Sequence, residues 1–234
     1  MTGGLVFDSR GSQKLGSRKS QNDSFLCGET AAFVADGMGN ADGARAAADA
    51  AVRYYVDLAE REFTPDDLLA APEHFASTWA GMPGATTLAG AILDDTRLWF
   101  IGHGDSIALH VRDGELLSRS IPHNEAGRLA SMGIVAPASA ANALTRALSA
   151  EPVGVSDIRL SRAIPGDTVV LMTDGFATLA RIADIVAISS RGRDAADVRD
   201  ALLQLVVDNV PDDNATFVVA RVMERTEPTG ETPA

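Results

Sequence analysis

The sequence predicts an α+β fold in a single domain, and three features of its 234 residues carry that expectation. An alanine-rich run from Ala44 to Glu62 has high helix propensity and sets Val52, Tyr55, Val56 and Ala59 on one face. From Thr86 to Leu117 the text turns to short apolar runs broken by Asp94-Asp95, Gly104-Asp105 and Asp113-Gly114, the pattern of an antiparallel meander. Neither an internal repeat nor a linker separates the two, so helices and strands must share one core.

In chain order, a strand is expected near Gly4 to Asp8, a polar loop through Gly11 to Gln21, and strands at Ser24–Cys27 and Ala31–Ala35 turned by Glu29-Thr30. The glycine-rich break Asp36-Gly37-Met38-Gly39-Asn40 precedes the Ala44–Glu62 helix. Pro65 closes that helix and opens a second over Asp66 to Trp79. It is interrupted near Pro72, which lacks an N–H, and ends before Gly81-Met82-Pro83-Gly84. The meander comprises Thr87–Leu93, Leu98–Ile101 and Ile107–Val111, with Asp113-Gly114 turning a hairpin. Asn124 to Leu148 is mixed, with a helix at Asn142–Leu148. Strands at Asp157–Ala163 and Thr168–Met172 are joined by Pro165-Gly166; helices follow around Ile182–Ser189 and Ala195–Asp208, then a β-branched strand at Ala215–Val222. Residues 1–223 thus read as the domain, and the Pro-, Thr- and Glu-rich stretch from Glu224 to Ala234 as a disordered tail.

Composition narrows the function. At this length a domain buries roughly 70% of its unfolded surface without a metal or disulfide staple, so a metal would serve chemistry. The 32 acidic against 20 basic residues leave a net charge of -12, which repels nucleic acid and anionic membranes. A single cysteine, Cys27, excludes an intrachain disulfide and a cysteine-based zinc cage. No apolar run approaches the ~20 residues of a membrane span, and the N-terminus lacks a signal-peptide pattern, so a cytoplasmic address is expected.

Four aspartates recur in one setting, where an apolar run ends and Gly, Asn or Ser follows closely: Val34-Ala35-Asp36-Gly37, Gly102-His103-Gly104-Asp105-Ser106, Met172-Thr173-Asp174-Gly175 and Asp212-Asp213-Asn214. Asp-Gly and Asp-Asn are also ordinary turn dipeptides. Carboxylates at strand ends can nevertheless converge on one sheet edge, where hard divalent cations take oxygen ligands. Other chemistries fit poorly. Asp42 occupies the third glycine position of a dinucleotide fingerprint, and Ser17-Arg18 replaces the Lys and Ser/Thr of a phosphate loop beginning at Gly11. His74, His103, His110 and His123 form no zinc motif, no serine stands in a nucleophile elbow, and Cys27 has no cationic helper. Asp42, Asp49, Asp57 and Glu60 read as the solvated face of a helix.

The ordered series Arg18-Lys19-Ser20-Gln21-Asn22-Asp23-Ser24, Ala35-Asp36-Gly37-Met38-Gly39, Thr86-Thr87-Leu88, Gly104-Asp105-Ser106, Leu144-Thr145-Arg146-Ala147-Leu148, Pro165-Gly166-Asp167, Thr173-Asp174-Gly175 and Asp213-Asn214-Ala215-Thr216 resembles the metal-dependent protein phosphatases of the PPM (type 2C) family, in their compact bacterial form. The resemblance runs from about Val6 to Val222. It implies an α-β-β-α sandwich of two antiparallel sheets flanked by helices, with metals at one end.

By position, the resemblance has Asp36 bridging two Mn²⁺ or Mg²⁺ ions, the Gly37 carbonyl binding one, and Asp174 and Asp213 the other; Asp105 with Asp174 matches a third-ion site. Arg18 matches the arginine that grips the substrate phosphate. Arg18, Asp36 and Asp174 are then the catalytic set, and a water bridging the two ions attacks phosphorus directly. The implied function is hydrolysis of phosphoserine and phosphothreonine in proteins by a cytoplasmic monomer opposing a bacterial Ser/Thr kinase. Departures exist. Asn22-Asp23 stand where the family carries an acidic pair that supports metal-bound water, and such a loss typically costs ~10 to 100-fold. Met38 replaces the histidine of many eukaryotic members, Ile107 replaces the usual arginine after Asp105-Ser106, and His123–Ala141, matching the flap beside the active site, lacks an acidic run. These departures raise the alternative of a weakly active or inactive phosphatase-like module that binds a phosphoprotein, or of a phosphatase for phosphotyrosine, phosphoarginine or a small ester.

Overall fold

The computed structural model of the chain describes residues 4–151 and 154–225. Their strands are β1 (Leu5–Lys14), β2 (Ser24–Cys27), β3 (Ala31–Ala35), β4 (Gly37–Met38), β5 (Ala85–Thr86), β6 (Leu88–Asp94), β7 (Arg97–His103), β8 (Ile107–Arg112), β9 (Glu115–Arg119), β10 (Asp157–Arg162), β11 (Thr168–Met172) and β12 (Ala215–Glu224). The helices are α1 (Ala41–Ala59), α2 (Pro65–Thr78), α3 (Glu125–Ser131), α4 (Asp174–Ala177), α5 (Ile182–Arg191) and α6 (Ala195–Asp208). Two five-stranded antiparallel sheets result, in the orders β1-β12-β11-β8-β9 and β10-β7-β6-β3-β2.

Period-two alternation divides each central strand between two apolar layers. In β3, Ala31, Phe33 and Ala35 face the α1–α2 layer while Ala32 and Val34 face the opposite sheet. In β11, Val169 and Leu171 point between the sheets and Val170 and Met172 toward α5 and α6. Strands buried on both faces read as unbroken apolar runs, and three stacked apolar layers make the four-layer α-β-β-α sandwich.

Local pattern and structure part company in several places. β1 continues to Lys14 through the expected polar loop, because each of Gly11 to Lys14 finds a ladder partner on β12. α2 runs unbroken past Pro72, held by a capping box between Thr64 and Asp67, with Pro65 in its first turn and Pro72 buried. No helix spans 142–148. Residues 138–142 form a 3₁₀ turn, and Leu144 and Leu148 bridge to Asn124 and Thr86, so long-range pairing outweighs local helix propensity. α3 and the four-residue α4 carry no long periodic signal and were not anticipated. Asp49, expected on a solvated face, accepts hydrogen bonds from Ser24 Oγ (2.6 Å) and Arg45 Nε (3.0 Å) and so ties α1 to β2. Glu224 ends β12; the expected tail from residue 226 on lies outside the described residues.

Beside β11, Asp167 is fully buried and takes a two-pronged hydrogen bond from Arg112, Nε at 2.6 Å and a second nitrogen at 2.8 Å, with His110 Nε2 at 3.1 Å. Burial alone would raise its pKa, but the Arg112 fork, His110 and the Ile164 N–H together hold it down at about 2. A depressed folded-state pKa contributes stability above the unfolded value near 3.8 that is lost as pH falls through about 2. The shift amounts to about 2 kcal/mol. Asp167→Asn is therefore expected to lower stability by at least that amount at pH 7 and to narrow its deficit below pH 4, as read by urea denaturation at both pH values. An unchanged deficit would rule the linkage out.

Candidate active site

Register brings the sequence-expected site residues to one end of the sandwich. Lys14 pairs with Ala215, Ser24 with Ala35, and Met172 with both Phe217 and Ile107. The loop after β1, the ends of β3, β7 and β11 and the approach to β12 therefore share an edge. Arg18, Asn22, Asp36, Gly37, Asp105, Asp174 and Asp213 line one cavity of about 1200 Å³ there, and Asp23 lies beneath it, fully buried.

The backbone at Asp36 is held by threonines. Its N–H donates to Thr87 Oγ1 (3.0 Å), its carbonyl accepts from Thr86 Oγ1 (2.9 Å) and the Thr87 N–H (2.9 Å), and Thr87 Oγ1 meets Ser106 Oγ at 2.6 Å. Thr87 already accepts from Asp36, so its own hydrogen is free for Ser106. That contact couples the Asp36 strand to the Asp105-Ser106 turn. Gly37 is required sterically, since a Cβ there would collide with the carbonyls of Ala44 and Asn22.

A second framework spans the chain's two ends. Asn214 Oδ1 accepts from the Asn22 N–H (2.8 Å), and its Nδ2 donates to the carbonyls of Leu15 (2.9 Å) and Ser20 (3.0 Å), closing the 15–22 loop over the site. Gly16 adopts φ +63°, and a Cβ there would strike the carbonyls of Pro211 and Asp213, so only glycine allows this approach. Asp23 Oδ2 accepts from Thr216 (2.6 Å) and Thr173 (3.0 Å). Arg18 reaches Asp213 Oδ2 at 2.5 Å.

Behind Asp105, the Gly104 N–H donates to His123 Nδ1 (3.2 Å) and the Gly104 carbonyl accepts from the His123 N–H (2.8 Å). His123 Nε2 lies 3.1 Å from Asp157 Oδ2, while Arg146 reaches Asp157 (3.4 Å) and the Val155 carbonyl (3.0 Å). Nδ1 accepts, so the ring proton sits on Nε2. Burial lowers the pKa of His123 and that of His103, the latter to about 4, which keeps both rings neutral at pH 7. This gives Arg146 and His123 positioning roles that the sequence alone did not assign; the advance signal for Arg146 was the Leu144-Thr145-Arg146-Ala147-Leu148 segment that contains it.

Electrostatically the cavity is crowded with like charge. Burial first, then Asp23, Asp174 and Asp213, push the Asp36 carboxyl far above the usual carboxylate range. Burial raises Asp23 likewise, eased by the two threonine hydrogen bonds, and raises Asp105 to about 6 with help from Asp174. Asp174 Oδ1, Asp23 Oδ1 and Asn22 Oδ1 are buried without a hydrogen-bond partner. Among the described residues no three acids, histidines or cysteines gather into a single-ion cage. Unpaired oxygens and mutually repelling carboxylates, with no histidine or cysteine among the described residues lining the cavity, fit hard cations such as Mg²⁺ or Mn²⁺ whose shells are completed by carbonyls and water.

The profile of the protein phosphatase 2C family matches residues 10–206. No curated protein matches the sequence significantly. Solved structures similar to this chain include the serine/threonine phosphatase PstP/Ppp of Mycobacterium tuberculosis, with 23% identity and a TM-score of 0.79 over 94% of this chain and 100% of that one. The catalytic domain of PstP in complex with two manganese ions is 25% identical, with a TM-score of 0.80 over the same shares. The PPM Ser-Thr phosphatase MsPP from Mycobacterium smegmatis, in complex with cacodylate, is 24% identical, with a TM-score of 0.79 over 92% of this chain and 98% of that one. These likenesses carry the sandwich, while the profile covers the whole of the β10-β7-β6-β3-β2 sheet, the other sheet apart from β12 and the start of β1, and all of the cavity except the segment from Val210 to Asn214. The chain belongs to the protein phosphatase 2C family, the serine/threonine protein phosphatases that its motifs resemble.

Proposed function

We propose that the protein is a Mn²⁺- or Mg²⁺-dependent phosphatase that hydrolyses phosphoserine and phosphothreonine in proteins as a monomer, opposing a serine/threonine kinase of its own cell. The observation that carries this reading is the convergence of Arg18, Asp36, Asp105, Asp174 and Asp213 on one cavity from five separate segments. Asp36 and the Gly37 carbonyl, with Asp174 and Asp213, would hold two ions, and Asp105 with Asp174 a third. When bound, the ions would offset the carboxylate charge and activate a water between them for direct attack on phosphorus. The two manganese ions in the PstP catalytic domain support the assignment.

The chain's own residues do the positioning. Arg18 stands at the cavity wall with a planar fork that can take two phosphate oxygens and stabilise charge on the equatorial oxygens. The Thr86, Thr87 and Ser106 contacts hold Asp36 and the Asp105 turn in one frame, so ligands from different strands need not reorganise. Met38 and Gly39 offer no side-chain acid, so solvent protonates the leaving alkoxide.

The test is hydrolysis of a phosphothreonine peptide with Mn²⁺, with Mg²⁺ and with EDTA, beside Asp174→Ala. Activity should require metal and fall at least about 10³-fold in the variant. Asn22, an amide facing the cavity with an unpaired oxygen, motivates the second reading of a phosphoprotein-binding module. Silence under every metal, in a folded protein that binds no Mn²⁺ by calorimetry, would establish that reading instead.

A further inference from the structure

A second groove of about 600 Å³ opens directly from the active-site cavity, and the two share Asp105, Asp174 and Thr178 as a common wall. Beyond that junction its character changes. Ile107, Ile121, Pro122, Ala130 and Ala177 make apolar walls, and Ile121 is 46% exposed. A polypeptide whose phosphorylated residue sits in the first cavity would have this groove as a path for its flanking residues, and an open apolar trough beside a polar catalytic centre is the form of a side-chain subsite.

One charged group interrupts the apolar wall. Arg119, the last residue of β9, lines the groove with its side chain exposed. Arg18, Arg112, Arg128 and Arg146 each face a carboxylate within 3.5 Å, through Asp213, Asp167, Glu125 and Asp157. Arg119 has no such partner among the described residues, and the one influence on its guanidinium is partial burial, which lowers its pKa. In a chain of net charge -12, an unanswered arginine in a partly desolvated groove leaves its five donors to an incoming anion.

We propose that this groove seats the substrate segment flanking the phosphorylated residue, and that Arg119 receives an aspartate or glutamate side chain of that segment. The inference rests on the phosphatase reading and adds a substrate class to it: phosphoproteins with an acidic residue near the phosphosite and apolar residues beside it. A carboxylate suits the site better than a second phosphate. One guanidinium balances one unit of charge in a bidentate pair, whereas a phosphate dianion would keep a second unit unbalanced, because Arg119 is the one cationic side chain among the described residues lining the groove.

The experiment is a phosphothreonine peptide set in which a single glutamate or lysine is walked through an otherwise alanine- and leucine-rich flank, with all-neutral and second-phosphoserine controls. The wild-type protein, Arg119→Ala, Arg119→Glu and Ala130→Trp are compared with Mn²⁺ present. At one position glutamate should raise kcat/KM about tenfold over alanine, mainly through KM. Arg119→Ala should erase that gain and leave the neutral peptide within about twofold, and Arg119→Glu should turn the preference toward lysine. Ala130→Trp should slow peptides but not p-nitrophenyl phosphate. Affinities of the same peptides bearing a non-hydrolysable phosphonate, measured by fluorescence anisotropy, read the groove without turnover. Absent turnover would therefore count against the phosphatase reading, while a glutamate preference in affinity that Arg119→Ala removes would still uphold the groove. A wild-type protein indifferent to glutamate in both readouts, a preference that survives Arg119→Ala, or a second phosphate bound more tightly than glutamate would each overturn the proposal.

Discussion

Asp36→Asn is expected to cut metal-dependent hydrolysis of a phosphothreonine peptide by at least about 10³-fold and, in EDTA, to raise the melting temperature. Both effects come from the same crowding. Asp36 sits among Asp23, Asp174 and Asp213, and burial with these neighbours makes its ionised form costly. A carboxyl whose folded-state pKa lies above its unfolded value binds its proton more tightly in the native state. Metal-free stability must then fall as pH rises from the ordinary carboxylate range through neutrality. An amide of nearly the same shape removes that penalty, on the order of 2 kcal/mol, and 1 kcal/mol shifts the midpoint of a domain this size by roughly 2–4 °C. Melting in EDTA at pH 6, 7 and 8 should show wild type declining and the variant declining less, so the gap widens with pH. With Mn²⁺ the order should reverse, because only wild type keeps the Asp36 carboxylate that would hold the ions. A variant that hydrolyses the peptide at the wild-type rate, or melts below wild type without metal, would contradict the assignment of Asp36.

Arg18→Ala should lower kcat/KM for the same peptide by about 10²–10³-fold while leaving the melting temperature in place. Its partner in the structure is Asp213 at 2.5 Å, with the two side chains 58% and 39% exposed. An ion pair so open to water contributes at most about 1 kcal/mol, so stability has little to lose. Rate has much to lose, because the planar fork can hold two phosphate oxygens at once. Arg18→Lys keeps the charge but not the fork and should recover only part of the loss. If alanine and lysine variants both match wild type, Arg18 is a loop residue; if alanine also melts many degrees lower, its pairing with Asp213 is structural.

Much of the site was legible because its residues announce themselves locally. Asp36, Asp105 and Asp174 each follow an apolar run closely, Asp213 precedes one, and each is followed by Gly, Ser or Asn. The period-two alternation of the flanking strands is enough to suggest that such ends could meet. The meander from Leu88 to Val111 and the final strand read correctly for the same reason, since strands buried on both faces leave long apolar runs. Residues whose work is done at a distance left almost no trace. Thr216 reaches Asp23 from 193 positions away, Asn214 reaches Leu15 from 199, and the stretch after Ala143 that composition favours as helix is pulled straight by Asn124 and Thr86.

By itself the sequence determined the layer composition, the strand ends and the identity of the charged groups placed there, because periodicity and turn chemistry are local properties of the chain. Tertiary structure alone decided which of those ends share an edge, how far burial raises Asp36, Asp23 and Asp105, and that Arg119 stands in a groove beside the cavity with no carboxylate partner among the described residues. Desolvation and charge-charge repulsion depend on distances between segments that the chain order does not contain, and only the packing of the two sheets sets those distances.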